Sequence, residues 1–278
     1  MAQLGAARRT VPAVLAVICA FALAARAQNP ADMMPAESAA KARAILQQTI
    51  EALGGDAYLH LHTSDCTGRY AQFQHSGEIG GYIELRQYQE LPDKSRLEYD
   101  AKGRIIDMYA GNQGWNMDRG GVADIPADEM ADYLELLRVD LNYILRYRMN
   151  DPDLVFRYNG TDVVDLKDAD WVEIGDHEGH TVRVAIDKRT HLPIRSVMNK
   201  RDPKTGEPTQ RENYYSTYHP VDGVQMPFRV SRFLNGRQTY QVFLQGCMLN
   251  LTLPGDFFTR ASLEQHFAEL NGKGKGKK

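Results

Sequence analysis

The feature that most constrains this chain is a long succession of short strand-like runs separated by turns of about two residues. Residues 80–90 show it best. Tyr82, Glu84, Arg86 and Tyr88 fall on one face, and Ile83, Leu85 and Gln87 on the other. Similar runs follow at 96–99, 104–110 and 114–117, parted by Pro92-Asp93, Lys102-Gly103 and Gly111-Asn112. The pattern resumes at 154–158, 161–166, 171–174, 181–186, 192–200, 211–218, 225–234 and 237–244. These runs are rich in β-branched and aromatic residues. Asn159-Gly160 and Asn235-Gly236 are strong hairpin signals, and Glu178-Gly179 is a weaker one. The reading is a mainly β (α+β) antiparallel meander of about eleven strands. A sheet of that size curls into a barrel or a half-open one.

Three helices interrupt the meander. In the first, Ala42, Ile45, Leu46, Thr49, Ile50 and Leu53 recur at helical spacing until Gly54-Gly55 stops it. The second is expected as one long helix over 126–148, opened by Pro126 and by Asp128 and Glu129 in its first turn. Its apolar stripe comprises Met130, Tyr133, Leu134, Leu137, Leu141, Ile144 and Leu145. Such a stripe must be buried, and the inside of a curved sheet is the natural place. A short helix over 262–270 closes the ordered part.

Residues 1–27 read as a cleavable secretory signal. Arg8 and Arg9 precede an apolar run of 11–23, and Ala25-Arg26-Ala27 offers a small-x-small site, so cleavage is expected after Ala27. That run is too short for a membrane anchor. The rival reading, a lipidated Cys19, suits the sequence poorly, because Ile18 stands where a small residue is wanted. The expected organisation is a flexible arm over 28–37, one domain over 38–271 and a disordered lysine-glycine tail over 272–278. The formal charge of −3 becomes −6 when Arg8, Arg9 and Arg26 are removed, and −10 without the tail's four lysines. A body this acidic argues against a nucleic-acid partner. Two cysteines remain, Cys66 and Cys247. An oxidising compartment allows them one intramolecular bond, and the alternative is two buried thiols.

No catalytic motif stands out: there is no Gly-x-Ser-x-Gly, no His-Glu-x-x-His and no phosphate loop. His60 and His62 with Asp65, and the group Asp176, His177, Glu178 and His180, have metal-ligand residue types. They read more simply as surface histidines and a polar hairpin tip. Glu212, His219 and Asp222 imitate an acid/base set but lack a nucleophile. No enzyme, metal or cofactor is therefore expected. What remains is aromatic: 14 tyrosines and 9 phenylalanines that fill a core or line a cavity.

Two segments are distinctive. One reads Ile186-Asp187-Lys188-Arg189-Thr190-His191-Leu192-Pro193-Ile194-Arg195. The other runs from Tyr214-Tyr215-Ser216-Thr217-Tyr218 through Val221-Asp222-Gly223-Val224 to Pro227-Phe228. With Ala52-Leu53-Gly54-Gly55, they resemble the outer-membrane lipoprotein-sorting family, the LolA/LolB/LppX-like group, over roughly residues 40–250. The resemblance implies a half-open antiparallel β-barrel with helices on its concave face. It also implies a periplasmic location, a hydrophobic cavity that shelters a lipid or lipoprotein acyl chain, and a membrane-bound donor or acceptor protein as partner. A carrier needs no bond-making residues, since each buried methylene contributes about 0.8 kcal/mol. The helix over 126–148 is the candidate cover, with Tyr133, Leu134, Leu137, Leu141, Ile144 and Leu145 as ligand contacts. The alternative is an interaction or sensor module whose cavity is filled by its own helix.

Overall fold

The computed structural model describes residues 32–201 and 205–272. The expected signal, residues 28–31 of the expected arm and residues 273–278 of the expected tail lie outside them. Helix α1 (Pro35–Leu53) and a short α2 (Asp56–Leu59) lead into β1 (Thr63–Phe73) and β2 (Ile79–Glu90). Then come β3 (Lys94–Glu98), β4 (Ile106–Ala110), β5 (Gln113–Asp118) and β6 (Gly121–Asp124). Helix α3 (Ala127–Arg138), α4 (Leu141–Tyr143) and a π-helical turn (Ile144–Arg148) follow. Strands β7 (Leu154–Val164), β8 (Lys167–Asp176), β9 (Thr181–Asp187) and β10 (Pro193–Arg201) come next. Last are β11 (Pro208–Val221), β12 (Val224–Leu234), β13 (Arg237–Leu249) and α5 (Arg260–Gly272). Because α1 begins at Pro35, the end of the expected arm is helical.

All thirteen strands form one open, curled sheet, ordered β6-β5-β4-β3-β2-β1-β13-β12-β11-β10-β9-β8-β7. It is two meanders joined at one seam, β1 against β13, and β6 and β7 are its edges. Cys66 and Cys247 face each other across that seam and are joined by a disulfide. Their separation of 181 residues makes the loop long, so chain-entropy reasoning gives about 5 kcal/mol for the bond.

Thirteen strands rather than about eleven reflect runs too short or too polar to read, such as β6. One expected hairpin turn lies elsewhere. Asn159-Gly160 does not turn the chain but forms a bulge inside β7, where the register with β8 slips between Tyr158 and Thr161. The turn comes later, at Asp165-Leu166, both at positive φ. Pairing of Tyr158 and Phe156 with β8, and their burial beneath α1, outweighs the local turn signal.

The main core lies between the concave face and α1. Ala42, Leu46, Ile50 and Leu53 of α1 meet Phe156, Tyr158, Val172, Ile174, Val184 and Ile186 of the sheet. Ser38 accepts a hydrogen bond from the Tyr158 amide and so occupies a donor of edge strand β7. A second core has the opposite side. Met108 and Tyr109 are neighbours on β4. Tyr109 stacks on Tyr133 of α3, whereas Met108 joins Ile106, Met117, Phe258 and Leu263 under α5. Helix α5 thus covers the outer face, while α1 and α3 share the concave one.

The three signature segments converge. The Tyr218 hydroxyl donates to the Pro193 carbonyl at 2.9 Å, and Asp187 accepts the amides of Arg189 and Thr190 in the intervening turn. A Cβ on Gly54 would lie 2.4 Å from the Gly223 carbonyl oxygen, so glycine is required where these two motifs meet.

Candidate functional site: the covered concave face

The expected long helix is two structures. Helix α3 ends at Arg138. At Asp140 the backbone is extended, with ψ at 129°, and the Asp140 carboxylate accepts the Tyr143 amide at 3.0 Å. Asp140 therefore starts a new helix rather than continuing the old one, as a short acidic side chain at an N-cap does.

The six candidate contacts divide at that break. Leu141, Ile144 and Leu145 are 5%, 1% and 1% exposed and belong to the main core. Arg146 secures the same segment. Its Nε donates to the Tyr58 carbonyl at 2.9 Å, and its guanidinium lies 3.9 Å from the centre of the Tyr58 ring. Tyr133, Leu134 and Leu137 stay on α3. Leu134 is 38% exposed, and with Leu137 it lines a cleft of about 410 Å³. Asp93, Gly111, Arg138, Tyr143 and Arg148 complete the lining. Tyr133 stacks on Tyr109, with centroids 3.9 Å apart and planes 12° from parallel.

Ion pairs hold α3 in place. Asp132 receives Lys200 at 3.2 Å and Arg211 at 2.9 Å, and Lys200 also binds Glu135. At the far end Arg138 reaches Asp176 at 2.7 Å, Glu178 at 2.8 Å and Asp153 at 3.7 Å. Within α3, Met130 is the buried residue. Burial pushes the Asp132 carboxyl up, but Arg211 and Lys200 outweigh it and hold the group below the usual carboxylate range. Asp176 is likewise lowered: burial raises it, and the His180 amide and ring, with Arg138, bring it down. Asp140 goes the other way. Its burial raises it against the pull of the Tyr143 amide and Arg146.

The polar tip around Asp176 thus has a role that residue types alone did not reveal. Its acids anchor Arg138 of α3. No group of three or more metal-ligating side chains is found among the described residues. His60 contacts the Asp56 carbonyl of its own turn. Glu212 is bound by Arg195, His219 packs on Phe228, and Asp222 is a turn residue at positive φ.

Between α1 and α3 the concave face is floored by β11, β12, β13 and β1. Tyr70, Tyr215, Tyr218 and Tyr240 are half-buried there. Burial pushes the Tyr215 hydroxyl up to about 12 and raises Tyr218 and Tyr240 as well. The sequence signature includes Tyr215 and Tyr218, but not Tyr70 or Tyr240, nor the arginines among them, Arg211 and Arg232.

An open antiparallel sheet curled around helices, with its two edges linked by a segment crossing the concave face, is a LolA-like half-barrel. No family model matches the sequence, and no curated protein matches it. Solved structures do. A domain from Vibrio parahaemolyticus, described as an outer membrane lipoprotein-sorting protein, aligns over 81% of this chain and 99% of its own. Its TM-score is 0.57 at 12% identity. A DUF1329 family protein from Desulfovibrio piger ATCC 29098 aligns over 80% and 98%, with TM-score 0.57 and 13% identity. A LolA superfamily protein from Nitrosomonas europaea aligns over 80% and 99%, with TM-score 0.51 and 14% identity. At these identities the likeness is one of fold.

Proposed function

We propose that this protein is a periplasmic carrier that holds the acyl chain of a lipid or lipoprotein against its concave face, beneath α3. It binds and releases and makes no bonds. The observation that carries this reading is the seating of α3. A helix held over a concave face largely by side-chain ion pairs, with Met130 its one buried residue and Leu136 partly buried against the main core, exposes little of the core when it lifts. Leu134 and Leu137 supply apolar surface in the cleft beside α3. Export through a signal cleaved after Ala27 would deliver the chain to the periplasm. There a membrane-bound donor and acceptor would load and unload it. No helix among the described residues is long and apolar enough to cross a membrane. The unit proposed to do this work is the single domain expected over 38–271.

The alternative, a module whose interior is self-filled, draws support from Leu141, Ile144 and Leu145, which occupy part of the interior themselves. Native mass spectrometry of protein isolated from the periplasm separates the two. A co-purifying lipid is expected, and a protein that stays empty after incubation with lipid vesicles would sink the carrier reading. Charged residues at Leu134 and Leu137 should abolish lipid capture while the sheet stays folded. Leu141 is unsuitable for that test, because a charge there would enter the core.

A further inference from the structure

Arg232 lies on the concave face of β12, paired in register with Asn213 on β11 and Tyr240 on β13. Its Nε donates to the Asn213 Oδ1 at 2.9 Å, and its guanidinium sits 4.8 Å from the centre of the Tyr240 ring. Those two contacts fix the plane of the fork and leave its terminal nitrogens without a hydrogen bond to another described residue. Arg232 also makes no ion pair within 4.0 Å among the described residues. This distinguishes it from Lys200 and Arg211, which α3 has already taken. Asp140 feels the charge of Arg232, but from beyond ion-pair distance. A half-buried guanidinium, oriented by two contacts and without an ion pair, is a ready partner for a carboxylate or phosphate. Next to it, Val230 pairs with Val242, and Val242 with Tyr70, whose ring lies 5.1 Å from that of Tyr240. Together they make an apolar and aromatic strip running from the charge across the seam.

We infer that Arg232 is the head-group site of the concave face, and that the cargo is an amphiphile with an anionic head bound to Arg232 and an acyl chain laid along Val230, Val242 and Tyr70. The inference rests on the carrier reading and narrows its ligand class. A neutral lipid would leave Arg232 unanswered. An anion without a chain would leave the strip bare.

Calorimetric titration of the purified chain with oleate, oleyl alcohol and inorganic phosphate tests it. Oleate should bind about tenfold or more tighter than oleyl alcohol, the difference of one charge-assisted contact. Phosphate alone should show no binding. Arg232→Gln should remove the preference for oleate and leave oleyl alcohol unchanged, and Arg232→Lys should keep part of it. Equal affinities for the two lipids in the unaltered protein would overturn the inference and leave the carrier standing. So would an equal loss of both in a folded Arg232→Gln protein, or phosphate binding as tightly as oleate. Binding of none of the three would overturn the carrier reading itself. The comparison within the unaltered protein does not depend on either variant folding.

Discussion

The two halves of the segment that links the edges of the sheet carry similar apolar stripes and are held in opposite ways. In α4 and the π-helical turn, Leu141, Ile144 and Leu145 are packed into the main core. In α3, Met130 alone of twelve residues is buried, Leu136 touches the main core and Tyr133 stacks on Tyr109, and ion pairs of carboxylates with Lys200, Arg211 and Arg138 anchor both ends. Apolar burial is non-directional and hard to reverse locally, whereas partly exposed ion pairs contribute little each and can exchange for water. One half behaves as foundation and the other as cover. Asp140 is the joint between them.

Truncating a foundation residue should therefore have the largest effect. Leu145→Ala is expected to cost about 2–5 kcal/mol, as for other buried leucines. In a domain of this size that lowers the thermal midpoint by roughly 10 °C. Differential scanning calorimetry would check it. A loss below about 1 kcal/mol would mean that the foundation is no better packed than the cover.

Next comes the cover. Asp132→Asn removes the carboxylate shared by Lys200 and Arg211. Its cost to global stability should be about 1 kcal/mol or less. Amide exchange in α3 should quicken, while exchange in the π-helical turn stays unchanged. Acid should likewise lower the protection of α3, measured against intrinsic exchange at each pH, in the unaltered protein. Asp132 and Asp176 titrate lower in the folded chain than the ordinary carboxylate value, so their contribution is complete above about pH 4 and is lost as pH falls through the folded values. Protection of α3 that stays constant down to full protonation of both groups would show that apolar contacts hold it.

The joint should respond with the opposite sign. The Asp140 carboxyl titrates higher when folded, so it favours the fold below its unfolded value, and that contribution is lost as pH rises through the folded one. Asp140→Asn keeps an acceptor for the Tyr143 amide without a charge to bury, so stability at neutral pH should match or exceed that of the unaltered protein. Asp140→Ala loses the cap and should cost about 1 kcal/mol. Urea titration of both variants would tell. An Asn variant as unstable as the Ala one would mean that the charge itself, through Arg146 and Arg232, holds the joint.

How far this was legible in the sequence follows the same division. Period-two alternation and tight turns exposed the meander because each strand obeys them locally. The seam of β1 with β13 joins residues some 180 apart in sequence, so no local pattern announces it, although the paired cysteines hinted at it. Asn159-Gly160 misled because a bulge and a turn ask for the same residues. The cover was visible as an apolar stripe. Its break was not, because Val139-Asp140 preserves the 3.6-residue period on either side. The clue was an acid at N-cap spacing from Tyr143. The ionic anchors of α3 were out of reach for another reason. Asp132 and Glu135 look like any solvated helix face until the fold brings Lys200 and Arg211 beneath them.

The smallest expected effect is the sharpest test of the comparison. Leu134 has the same residue type and the same stripe as Leu145, yet it borders the cleft instead of entering the core. Leu134→Ala removes little surface that folding had withdrawn from water and leaves no cavity to collapse. Its effect on stability should fall within about 0.5 kcal/mol of zero. Binding of oleate should nonetheless weaken, because the lost methyl groups would have met the chain. Measured on one sample, unchanged denaturation with weaker binding assigns Leu134 to the cargo. A loss above about 1 kcal/mol would instead make α3 a packed element of the core. The distinction between foundation and cover would then disappear, and with it the reason to expect the helix to lift.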